Sequence, residues 1–195
     1  MIVNRRTFIT ASALSITGLS GCLGDTEYRI TDTATETPLN SLSLSVRPTV
    51  ADATIEHPAT LILTLENMAN DPIRIRSYGV WPFGVLALAP SPTPSEDMRK
   101  TMLYSPSYET STRIEIDRGG SSISLNGTPV TRPLNPGESI SRRYELRGDN
   151  LPSAGTHYIV EEFDGRVSQY LRGDNWETLK FQIRLSIEEK QRVPI

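Results

Sequence analysis

The sequence predicts an all-β domain, an antiparallel β-sandwich, and three observations carry that expectation. Apolar and polar residues alternate with a period of two in run after run from Ser41 onward. Clusters of Asn, Asp, Pro and Gly separate the runs, as turns do. No long segment carries the 3.6-residue periodicity of a helix with one buried face.

The runs come in order. Leu42, Leu44 and Val46 sit between serines. Leu61, Leu63 and Leu65 repeat the pattern, and Ile73 and Ile75 alternate with Arg74 and Arg76. Asn67 to Pro72 is the turn between those two. Ile114 and Ile116 alternate with Arg113 and Glu115. Asn135-Pro136-Gly137-Glu138 opens a strand from Ser139 to Arg147, and Asp164-Gly165 closes one from Gly155 to Phe163. The longest run is Leu179, Phe181, Ile183, Leu185 and Ile187, opposed by Lys180, Gln182, Arg184, Ser186 and Glu188. A helix would scatter those apolar residues around its circumference. Short strands at this spacing point to a sandwich. The best helical segment is Ser95 to Met102, with Ser95 as its cap and Glu96 and Asp97 in its first turn.

Gly79 to Leu88 is almost wholly apolar, and Pro90, Pro92 and Pro94 follow it. The first part is expected to be a buried strand, kinked at Pro82, and the second a stiff loop. Trp81 and Phe83 are the candidate binding patch beside that loop. Their competing role is to close one end of the core, the commoner fate of aromatic side chains.

The N-terminus has a different chemistry. Arg5 and Arg6 precede Thr7 and Phe8. A weakly apolar run follows, ending in Leu19-Ser20-Gly21-Cys22. A charged start, a short apolar middle and small residues before a break make a secretory signal. The run is shorter than the roughly 20 residues a membrane span requires. The paired arginines resemble a twin-arginine export signal, and Leu19-Ser20-Gly21-Cys22 resembles a lipobox. That resemblance implies cleavage before Cys22 and a lipid on its sulfur, with two acyl chains needed for stable anchoring. Residues 23–40 are rich in Thr, Asp and Glu and poor in apolar side chains, so a flexible spacer is expected. Leader, box and spacer together resemble lipoproteins of salt-loving archaea. The expected organisation is a signal peptide over 1–21, a lipidated cysteine and tether over 22–40, and a β-sandwich over 41–190.

The stretch from Thr60 to Asn67 followed by Pro72-Ile73-Arg74-Ile75 resembles early strands of immunoglobulin-like domains. Leu134 to Ser139 followed by Gly155-Thr156-His157-Tyr158 is similar to their later strands. The resemblance implies an immunoglobulin-like sandwich without the cysteine pair of antibody domains.

Composition narrows the function classes. The 195 residues hold 20 basic and 23 acidic side chains, and without Arg5 and Arg6 the net charge falls from −3 to −5. Nucleic acid is excluded as a partner, because phosphate binding needs a concentrated positive field. One cysteine makes neither an internal disulfide nor a thiolate metal site. His57 and His157 are too few for the usual zinc or copper ligand set. No nucleophile elbow or phosphate-binding glycine loop is present. Glu161, Glu162, Asp164, Asp149 and Asp174 lie in loops or at strand ends, where solvated turns are the commoner role and weak calcium binding the alternative. Both Arg-Gly-Asp-Asn segments, 147–150 and 172–175, and Gly119-Gly120-Ser121-Ser122 read as turns. Arg74, Arg76, Arg113, Arg142, Arg143 and Arg147 make a candidate basic strip on an outer sheet face. Asn126-Gly127-Thr128 is a glycosylation sequon in a predicted turn. No catalytic residue, metal or cofactor is expected. The expected role is a non-enzymatic binding or structural module at the extracytoplasmic face of the cell membrane. Its partners there are the membrane itself, through the lipid on Cys22, and a cell-envelope protein or glycan. The alternative is an accessory ligand-binding lipoprotein beside a transporter or secreted enzyme.

Overall fold

A computed structural model describes residues 26–37, 39–54, 56–116, 123–151 and 153–190. The strands are β1 (Tyr28–Glu36), β2 (Leu42–Val50), β3 (Asp52–Ala53), β4 (Ala59–Asn67), β5 (Ile73–Ser77), β6 (Leu86–Ala89) and β7 (Thr101–Met102). After the single-turn helix α1 (Pro106–Glu109) come β8 (Ile114–Ile116), β9 (Ile123–Leu125), β10 (Val130–Leu134) and β11 (Ser139–Leu146). A 3-10 turn (Gly148–Asn150) leads to β12 (Gly155–Glu161), β13 (Gln169–Arg172), β14 (Asn175–Thr178) and β15 (Gln182–Glu189). The domain is all-β and its sheets are antiparallel, one of them curled into a half-barrel. The strand orders are β3-β1-β15-β12-β6-β7, β10-β5-β13-β14, β11-β4-β2 and the hairpin β8-β9.

The period-two runs become strands with their apolar residues inward. Leu61, Leu63 and Leu65 of β4, Ile75 of β5, and Ile183, Leu185 and Ile187 of β15 join one buried cluster. Burying a side chain of this kind contributes about 1.5–3 kcal/mol. Both Arg-Gly-Asp-Asn segments are turns. One forms the 3-10 turn, and the other joins β13 to β14 with Gly173 at φ +58.

The expected tether is corrected over residues 28–36. Residues 28–36 form β1, which pairs with β15 from Tyr28↔Glu189 to Glu36↔Gln182. Tyr28 and Ile30 are buried. The register shifts between Ile30 and Asp32, so one extra residue breaks the alternation that would have marked the strand. Beyond that bulge the threonines do the pairing. The hydroxyls of Thr33, Thr35 and Thr37 donate to the carbonyls of Val46 (3.4 Å), Leu44 (3.0 Å) and Leu42 (3.1 Å) on β2. A composition that reads as a solvated spacer is here a side-chain ladder joining two strands. On the far side, a bridge between Tyr104 and Glu145 ties the chain after β7 to β11.

Three smaller expectations also change. Ser95 to Met102 is not a helix: Ser95 to Met98 makes one turn, Thr101–Met102 is β7, and the helix is α1, which begins at Pro106 behind the Ser105 cap. The apolar stretch from Gly79 is a strand only over β6. Its first half is a buried turn with a cis Trp81–Pro82 bond. The run from Leu179 begins its strand only at Gln182. Leu179 is buried, but its amide donates to the Ser168 carbonyl, one residue before β13 of the other sheet. The alternation survives the crossover because both sheets face the same core.

Where β1, β3 and the end of β15 meet, Asp52 accepts Arg29 Nε at 2.6 Å and Lys190 Nζ lies 3.1 Å away. The hydrogen bond from Arg29 is the main cause that holds the Asp52 carboxyl at about 2, against an ordinary 3.8. Its folded value is depressed, so this stabilisation is present above about pH 4 and is lost as pH falls through 2. Urea unfolding between those limits is expected to show that loss, and the Asp52→Asn chain a flatter profile. An NMR titration placing Asp52 near 4 in the folded chain would contradict the clamp.

Candidate functional site

The strongest candidate site is a cleft where two sheets end. β10 and β11 are the terminal strands of their sheets. On β11 the inward phase runs Ile140, Arg142, Tyr144, Leu146, and Tyr144 and Leu146 are fully buried. On β10 it runs Val130, Arg132, Leu134, and Leu134 is fully buried while Arg132 pairs across from the core residue Ile75. Each strand therefore places an arginine where its pleat calls for an apolar residue. Between them lies an open cleft of about 470 Å³, lined also by Trp81, Ser107, Thr112 and Arg113.

The walls are held by short-range chemistry. Ser105 caps α1, accepting from the Ser107 amide at 3.3 Å, and its hydroxyl donates to the Arg143 carbonyl at 2.7 Å. Tyr108 enters the core from α1. Its hydroxyl accepts the Leu86 amide at 3.2 Å, and its ring meets Tyr144 edge-on at 6.3 Å. Ser111 donates to the Gly79 carbonyl at 2.9 Å. Gly79 has φ +84, and a Cβ there would meet Ile114 Cδ1 and Leu125 Cδ2 at 3.0 Å, so only glycine fits this backbone.

The electrostatics are one-sided. Arg142 donates Nε to the Trp81 carbonyl (2.9 Å) and Nη1 to the Ser141 carbonyl (3.0 Å). Arg113 donates Nη1 to the Thr128 carbonyl at 2.7 Å. Burial, with the like charge of Arg132 adding to it, lowers the Arg142 guanidinium from its ordinary value. Among the described residues no carboxylate lines the cleft, and none of the three arginines forms an ion pair.

Of the residues singled out from the sequence, Trp81, Arg113 and Arg142 meet at the cleft and the others are dispersed. Trp81 and Phe83 are core residues, 5% and 1% exposed, which is the core-closing role expected as the commoner one; Trp81 also borders the cleft. Trp81 Nε1 donates to the Ile75 carbonyl at 3.1 Å, and Phe83 packs on Phe181 at 5.7 Å. The basic strip also divides. Arg142 faces inward, whereas Arg143 is exposed and pairs with Glu145 at 2.8 Å, and Arg76 stacks on Trp176 at 4.3 Å. Arg132 went unnoticed, although the alternation Val130, Arg132, Leu134 is its signal. Tyr104 lines a second cleft of about 320 Å³ beside Met102 and Arg147. Its hydroxyl donates to Glu109, which pushes it up to about 12.

His157 is buried and bonded to the Ser153 carbonyl at 3.0 Å, while His57 is exposed in a turn. Among the described residues no three His, Cys, Asp or Glu side chains are placed to hold a metal ion. The acidic cluster already holds a cation of its own. Lys100 Nζ donates to the Glu162 carbonyl (3.0 Å), the Glu161 carbonyl (3.4 Å) and Asp164 Oδ1 (2.9 Å). Burial raises the Glu161 and Glu162 carboxyls, and Lys100 opposes that. Asn126 is exposed, its Oδ1 accepting the Thr128 amide at 3.3 Å. Arg5, Arg6, Leu19, Ser20, Gly21 and Cys22 lie outside the described residues, as does Gly119-Gly120-Ser121-Ser122.

No curated protein matches the sequence. Residues 3–195, which take in both the cleft and the segment around Cys22, match the family described as Domain of unknown function (DUF8130), and the chain belongs to that family.

Proposed function

We propose that this chain is an exported lipoprotein, anchored by Cys22 to the outer face of the cell membrane, whose β-domain is a non-enzymatic binding module. The observation that carries the reading is the motif Leu19-Ser20-Gly21-Cys22 standing six residues before the first strand. Among the described residues the first strand starts at Tyr28. Six residues reach about 20 Å at full extension. The domain is thus held close to the bilayer surface, and long-range reach is not part of its action. The finer fold reading, an immunoglobulin-like sandwich, is supported by β11-β4-β2 and β10-β5-β13-β14 sharing one core through Leu63, Leu65 and Ile75. The arginine cleft favours the second reading, an accessory ligand-binding lipoprotein.

Fractionating cells that express Cys22→Ser tests the anchor. Release of the protein into the medium is expected. Unchanged membrane retention would rule the lipid out. Lysines at positions 5 and 6 are expected to block export, and normal secretion of that variant would remove the twin-arginine assignment.

A further inference from the structure

We propose that the cleft between β10 and β11 is an anion site that takes the phosphate group of a small solute, with Arg132, Arg142 and Arg113 as its cationic contacts. The proposal rests on the binding half of the reading above and is independent of the anchor.

An arginine at an inward position of a strand gives up hydration, and a second guanidinium nearby adds repulsion. Arg142 bears both, and no described carboxylate offsets them. Two carbonyls take its Nε and one Nη1 bond, and its outer Nη2 has no protein acceptor among the described residues. Arg113 spends Nη1 on Thr128, and Arg132 has no acceptor among the described residues. A guanidinium presents its N–H groups in a planar fork that matches phosphate oxygens. Three arginines, from two edge strands and the loop before β8, line one space together with Ser107 and Thr112.

The bland explanation is edge protection, since inward-pointing charges on terminal strands discourage pairing with another chain. One charge per edge does that. It does not require arginines from two different sheets to line the same cleft, nor a third from a loop. The size of the cleft adds to the case. At about 470 Å³ it lies in the range of small-molecule sites and exceeds what a bare phosphate fills. The solute therefore carries its phosphate on a larger polar body.

The full purified chain is titrated at low ionic strength with glucose 6-phosphate, inorganic phosphate and glucose, followed by calorimetry and by amide NMR shifts. Saturable binding of the sugar phosphate is expected, with weaker binding of phosphate and none of glucose. The shifts should centre on Thr112, Arg132 and Arg142. Arg132 is exposed, so Arg132→Gln should fold normally and weaken binding about tenfold to a hundredfold, the worth of a charge-assisted contact. Arg132→Lys should recover only part, because an ammonium lacks the fork. Absence of saturable binding by both anions overturns the proposal, as does equal affinity in the Arg132→Gln chain. Self-association of that variant at unchanged affinity would assign edge protection instead. The titration uses purified protein and the anchor test uses cell fractions, so each fails without the other.

Discussion

Truncating Ile30 to alanine is expected to lower the free energy of unfolding by about 2–4 kcal/mol, the usual cost of removing a buried isoleucine. Ile30 is 5% exposed, stands opposite Ile187 on β15, and its amide donates to the Ala51 carbonyl at 2.9 Å. The lost methylenes would leave a hole between β1 and β15 that rigid sheet backbone does not fill. Asp32, exposed on the same strand, is the control, and its alanine variant should move stability by no more than about 0.5 kcal/mol. Urea denaturation of the purified chain reads both. Equal midpoints for the Ile30 variant and the parent would mean that residues 28–36 form no part of the cooperative unit. That result would restore the long tether, and with it a domain standing well away from the membrane. The measurement thus separates two pictures of how the module meets its surroundings.

Tyr108 should give the second large effect. Replacing it with alanine is expected to cost about 3–5 kcal/mol, since its ring is fully buried between Tyr104 and Tyr144. Tyr108→Phe is the more informative variant. It keeps the ring but leaves the buried Leu86 amide without the hydroxyl that accepts from it. An orphaned buried donor costs about 1–3 kcal/mol. The midpoint should fall while the denaturant slope stays constant, because the surface exposed on unfolding is unchanged. A phenylalanine variant as stable as the parent would show that Leu86 finds another acceptor. The same residue fixes α1, which supplies Ser107 to the cleft, so the alanine variant should also blunt anion binding.

β2, β4, β5, β8 and β15 were readable because their alternation is strict and local: each apolar residue reports its own facing without reference to a partner. The turns were readable for the same reason, Asn, Pro and Gly acting over three or four residues. β1 was not readable. Its alternation holds for Tyr28 and Ile30 only, then a bulge resets the phase and threonines replace the aliphatic residues. Threonine carries a methyl and a hydroxyl, and which one matters depends on what lies opposite. Here that is a row of β2 carbonyls contributed from nine or so residues away.

The candidate site shows the same division. Val130-x-Arg132-x-Leu134 and Ile140-x-Arg142-x-Tyr144 each announce an arginine on the inward phase of a strand, and that much is in the sequence. That both strands are edges, and that their arginines open on one cleft with Arg113, depends on sheet order. Burial of Trp81 and Phe83 depends on it too, since an apolar turn is a core plug or a binding patch according to what covers it. Alternation, charge, turn chemistry and the Cys22 motif are properties of neighbouring residues, and the chain states them by itself. Strand order, the capture of Lys100 by the acidic loop and the pairing of β1 with β15 are set by contacts between distant segments, and only folding decides those.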